Sequence, residues 1–152
     1  MRRLNKSVDA AVEFSRLVRE INFFSALNIG LLEKVLACVL LYGYRRGEKV
    51  CRQGDPGDAC YVVRSGRLRV ETDGAFGLFS KKVAELGPGD LFGEMSLLRR
   101  HPRSATVVCL EDTEVFVVLA DSFNAVISQN PAFRAEMRRL TAERSFELSG
   151  NQ

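Results

Sequence analysis

A single histidine, His101, stands in a chain of 152 residues, and the four cysteines, Cys38, Cys51, Cys60 and Cys109, are scattered with no CxxC pair. Structural zinc sites draw on closely spaced cysteines and histidines, and cupin-type metal enzymes on several histidines with a carboxylate. Neither ligand supply exists here. No Ser/His/Asp or Cys/His set can be assembled either, so the chain reads as a non-enzyme with His101 in an exposed loop. A disulfide framework belongs to smaller secreted domains, and the cysteines read as reduced thiols of the cytosol. Long hydrophobic runs are also missing. The longest, VLACVLLYGY at 35–44, falls far short of the roughly 20 residues that span a bilayer, so no direct membrane insertion is expected. The start, MRRLNKSVDAAVEF, has no apolar core segment and carries Asp9 and Glu13, which argues against a presequence. An excess of one charge is absent as well. The 22 basic and 19 acidic residues leave +3, interleaved along the chain, which does not indicate nucleic acid.

What is present fits one domain by length. From Ser7 to about Leu41 the apolar residues Val8, Ala11, Val12, Leu17 and Ile21, then Leu31, Leu32, Val35, Leu36 and Val39, recur at three- and four-residue steps, giving two helices. NFFSALN interrupts them. From Tyr42 to about Leu119 short β-type runs alternate with glycine-containing turns, among them GDPGD at 54–58 and GPGD at 87–90, where proline sets φ and glycine accepts positive φ. After Ala120 the helical period returns in DSFNAVISQN and PAFRAEMRRLTAERSFEL, with Pro131 suited to a first helical turn. The fold class expected is mainly β with flanking helices: a helical segment over 1–41, an eight-stranded antiparallel, jelly-roll-like β-roll over 42–119, and two C-terminal helices over 120–152.

One stretch carries chemistry. FGEMSLLRRHPRSATV at 92–107 ends a strand at Phe92, turns at Gly93, and runs into about one helical turn whose N–H groups could hold an anion. Pro102 then fixes the backbone before Arg103, whose planar fork matches two phosphate oxygens. Small Ser104 and Ala105 leave room for a ligand, and Glu94 can accept from a hydroxyl, so a phosphorylated ribose satisfies both charges. A plain salt bridge between Glu94 and Arg103 is the alternative.

The pattern GEKVCRQGDPGDACYVVRSGRLRV…ELGPGDLFGEMSLLRRHPRSATV closely resembles the cyclic nucleotide-binding domain family, over about residues 14–148. The resemblance implies a phosphate-binding cassette at 92–106, with Glu94 on the ribose 2′-hydroxyl, Arg103 on the cyclic phosphate, backbone contacts from Gly93, Met95 and Ser96, and Ser104 near the purine. It implies cAMP or cGMP as ligand, with cAMP favoured because Ser104 has a hydroxyl without the methyl of a guanine-selecting threonine. It implies no cofactor. In the last helix Phe133, Met137 and Leu140 share a stripe that continues to Arg144 and Leu148, and Arg144 is the expected lid over the base. The likeness is strongest to cytosolic regulatory domains of bacterial cyclic nucleotide-gated channels, so fusion to a membrane channel is expected, with the helices as the place for homo-oligomer contacts. A free-standing sensor, or a degenerate domain kept for protein contacts, is the other reading. No DNA-reading helix is expected after the final helix.

Overall fold

Two runs, ACYVVRS at 59–65 and TEVFVVL at 113–119, are buried on both faces, as strands must be when other layers cover a sheet from either side. They form the centre of a computed structural model that describes residues 1–5, 8–19, 29–73, 80–93, 102–132, 134–135 and 138–139. Among these residues the strands are β1 (Arg2–Leu4), β2 (Leu40–Tyr44), β3 (Lys49–Cys51), β4 (Ala59–Ser65), β5 (Leu68–Asp73), β6 (Ser80–Leu86), β7 (Leu91–Phe92), β8 (Thr106–Cys109) and β9 (Thr113–Leu119). The helices are α1 (Val8–Arg19), α2 (Ile29–Cys38) and α3 (Ala120–Ile127). Residues 131–132, 134–135 and 138–139 are helical too, with the Arg134 N–H donating to the Asn130 carbonyl at 3.1 Å. All strand pairs are antiparallel, in a five-stranded sheet ordered β1-β2-β9-β4-β7 and a four-stranded sheet ordered β3-β8-β5-β6.

Period-two alternation along β4 and β9 sorts their side chains into two cores. Cys60, Val62, Phe116 and Val118 face the helices, where they meet Ala10 and Phe14 of α1, Leu31 and Val35 of α2, and Phe123 and Ile127 of α3. Each helix thus buries residues four apart, one stripe against one sheet. Ala59, Tyr61, Val63, Val115 and Val117 face the other way and pack with Leu68, Phe92, Val107 and Cys109 inside the roll. The result is three layers: helices, five-stranded sheet, four-stranded sheet.

The eight-stranded roll is accompanied by a ninth strand. β1 falls in the segment read as helical and pairs Arg2, Arg3 and Leu4 with Gly43, Tyr42 and Leu41. Three residues are too few to show a period, so only the exposed backbone edge of β2 could announce it. The roll also begins at Leu40 rather than Tyr42, because the continuous apolar run through 35–41 serves α2 and β2 alike and has no period of its own.

Helix α1 is fastened in three ways. Phe14 meets Phe116 edge-on, with centroids 5.2 Å apart. The half-buried Arg64 of β4 donates from Nε to Glu13 Oε2 at 3.0 Å and from Nη1 to Glu114 Oε1 at 3.1 Å, its guanidinium 6.0 Å from the Phe116 ring centre. Leu17 lies against the turn at Gly89, close enough that a Cβ there would sit 3.6 Å from its Cδ2. That turn leads directly into β7 and the stretch carrying Gly93.

Candidate functional site

Arg103 is buried, 7% exposed, although it belongs to a loop. Its backbone is clamped by the β3–β4 turn: the Arg103 N–H donates to the Asp55 carbonyl at 2.8 Å, the Gly54 N–H donates back to the Arg103 carbonyl at 2.8 Å, and Pro56 and Pro102 form an isolated β-bridge. The GDPGD turn therefore works as a short template strand for the basic segment. Further along, the Gln53 N–H donates to Thr106 Oγ1 at 3.0 Å, and Gln53 Oε1 accepts from the Asp73 N–H at 2.8 Å, tying the template to the end of β5. Cys51 Sγ lies 4.0 Å from the Ala105 carbonyl.

The side chain of Arg103 runs from this clamp to the end of β7. There Gly93 has φ +79°, and a Cβ on it would stand 2.7 Å from Arg103 Nη1 and 3.0 Å from the Ala59 carbonyl. Glycine serves twice at this point, accepting a left-handed backbone and admitting the guanidinium. The Arg103 Cζ lies 5.4 Å from the centre of the Tyr61 ring, and Nη2 lies 3.6 Å from Asp58 Oδ1. Tyr61 is itself stacked on Phe92, its partner in the β4–β7 pairing, at 4.8 Å and 16°. Asp58 is largely exposed, so its pairing with Arg103 is screened by water.

Burial pushes the Tyr61 phenol up to about 12, against the opposing pull of Arg103. Burial likewise raises Tyr44 and, again partly countered by Arg103, the Cys51 thiol. A tyrosine whose folded value lies above its unfolded value of about 10 favours the fold fully below that value and loses the contribution as pH rises through the folded one. Denaturant unfolding followed from pH ~9 to ~12 will therefore show a fall in stability above pH ~10. Tyr61→Phe will flatten that fall, and an identical profile in the variant would rule Tyr61 out as a source.

Of the residues singled out in the sequence, Gly93 and Arg103 are brought together, with Ser104 exposed and Ala105 half-buried just beyond. Glu94, Met95, Ser96, His101, Phe133, Met137, Leu140, Arg144, Leu148 and the NFFSALN interruption lie outside the described residues. Sequence reasoning missed Tyr61, Asp58 and Gln53. Alternation in ACYVVR places Tyr61 on the same face as Ala59 and Val63, but only the pairing with β7 carries that face to Arg103. All four cysteines are free thiols.

In this two-sheet roll a buried arginine meets a left-handed glycine at a strand end. Comparison with known proteins specifies the class: residues 43–130 match the cyclic nucleotide-binding domain, and the chain belongs to that family. It is 38% identical over 124 residues to the cyclic AMP receptor protein of Thermus thermophilus, covering 79% of this chain and 57% of that protein. It is 30% identical over 129 residues to a cyclic nucleotide-gated potassium channel of Mesorhizobium japonicum, covering 85% of this chain and 34% of the channel. The chain thus spans little more than half, or about a third, of these relatives. Among solved structures, the regulatory domain of Toxoplasma gondii PKA co-crystallised with cAMP superposes with a TM-score of 0.74 at 30% identity, over 80% of this chain and 46% of that one. Among the described residues no helix is long and apolar enough to cross a membrane.

Proposed function

We propose that this chain binds a cyclic mononucleotide, cAMP in preference to cGMP, and passes the binding on to its flanking helices as the regulatory part of a larger cytosolic-facing protein such as an ion channel. The observation that carries the reading is the buried Arg103 guanidinium lodged against Gly93 at the end of β7. Its planar fork takes the two exocyclic oxygens of the cyclic phosphate. Glu94 accepts from the ribose 2′-hydroxyl, while the backbone at Gly93, Met95 and Ser96 completes the cradle. Ser104, exposed beside Arg103, and Ala105 meet the purine, and Arg144 closes over it from the last helix.

Transmission rests on packing that joins α1 to the cassette. Leu17 lies on the Gly89 turn that feeds β7, and Arg64 ties Glu13 to the central sheet. A ligand held by Arg103 and the segment after Gly93 shifts the position of α1 only as far as it binds one arrangement better than the other. The relatives support the ligand class: one bears cyclic AMP in its name, one is gated by cyclic nucleotide, and one was crystallised with cAMP.

Calorimetric titration of nucleotide-stripped protein tests the reading. Saturable binding of both nucleotides, cAMP the tighter, is the expected result. An absence of heat and of any thermal shift with either would mark a degenerate domain retained for protein contacts.

A further inference from the structure

We propose that Tyr61 is a positioning residue for Arg103, an aromatic platform that holds the guanidinium at the anion site before the ligand arrives. The proposal rests on the nucleotide reading for its ligand, but not for its geometry. Hydrogen bonds to the β3–β4 turn fix only the backbone of Arg103. Its long side chain carries substantial rotamer entropy, which must be lost before the fork can engage two oxygens.

The ring of Tyr61 contributes a restraint on that side chain. It lies 5.4 Å from Cζ, within cation–π range, and is only 8% exposed, so little water competes. It cannot swing aside, because Phe92 stacks on it as its cross-strand partner. The residue after Phe92 is Gly93, whose missing Cβ makes the space occupied by Nη1. One two-residue pairing, Tyr61 with Phe92 and Val62 with Leu91, therefore sets both the ring and the gap. A ring carries no charge and no lone-pair acceptor at its face, so unlike the Asp58 carboxylate 3.6 Å from Nη2 it is not a rival anion for the fork. Holding the group in its bound position lowers the ordering cost of binding.

Ring electrostatics separate this role from simple packing. Phenylalanine and pentafluorophenylalanine, incorporated at position 61 by nonsense suppression, have nearly the same shape but opposite ring quadrupoles. With Arg103 present, the fluorinated protein will bind cAMP about two- to thirtyfold more weakly than the phenylalanine protein. In an Arg103→Ala background the two will agree within about twofold. Equal affinities with Arg103 present, or the same difference without it, would overturn the proposal. A second readout needs no nucleotide: in Tyr61→Leu, the Arg103 Nε–H proton resonance will move downfield as the ring-current shift is lost, and an unmoved resonance would also overturn it. If the parent binds neither cAMP nor cGMP, the nucleotide reading falls and this resonance alone decides whether the ring holds Arg103.

Discussion

Arg103→Ala will weaken cyclic nucleotide binding about ten- to a hundredfold, the equivalent of losing a charged hydrogen-bond pair worth about 1.5–3 kcal/mol. The loss comes from the fork itself. Its backbone clamp uses only the N–H and carbonyl of residue 103, and alanine retains both, so the loop will keep its course. Asp58 then remains close to the incoming phosphate without the guanidinium between them, a repulsion that its exposure moderates. Arg103→Lys will recover only part of the affinity, since an ammonium is a point charge and cannot grip two oxygens in one plane. The ion pair with Asp58 adds little to thermal stability in the parent, because it is long and its acidic partner is exposed. Titration beside the parent checks these expectations. Undiminished affinity in Arg103→Ala would mean that the anion sits elsewhere.

Phe116→Ala will produce the largest loss of stability, about 3–5 kcal/mol, lowering the melting temperature by about 6–20 °C. Phe116 is fully buried in β9, an interior strand of the five-stranded sheet, paired with Leu41 on one side and Val62 on the other. Its ring receives the edge contact of Phe14 and lies 6.0 Å from the Arg64 guanidinium. Removing it opens a cavity at the seat of α1 while leaving the inner core of the roll, on the opposite face, intact. Hydrogen exchange will therefore rise first in α1. Phe14→Ala combined with Phe116→Ala will cost less than the sum of the two, since they share one contact. Strict additivity in denaturant unfolding, with exchange unchanged in α1, would show that the helix is held by Arg64 and Leu17 instead.

These two positions differ in how visible they were. Phe116 sits in EVFVVL, whose continuous apolar character already marks a strand covered on both faces. Arg103 was visible as chemistry, through a proline, an arginine and small residues following a Gly-Glu pair at a strand end. Tyr61 was visible as neither, because a tyrosine among valines in ACYVVR has the pattern of an ordinary core residue.

The sequence by itself determined the layout of helices, β-roll and helices, because period 3.6 and period 2 are local properties of a chain. It also determined the turn chemistry at Gly54 and Gly89, both of which have positive φ, and the membership of Gly93 and Arg103 in one connection. Only the tertiary structure decided which face of β4 meets the arginine, that the GDPGD turn templates residues 102–103, that Asp58 stands 3.6 Å from the guanidinium, and that a strand at Arg2–Leu4 pairs with β2. Those features arise from pairings between segments some 30 to 60 residues apart, as long-range sheet pairing generally does. Their energies lie in register and approach distance, which residue order along the chain does not encode locally.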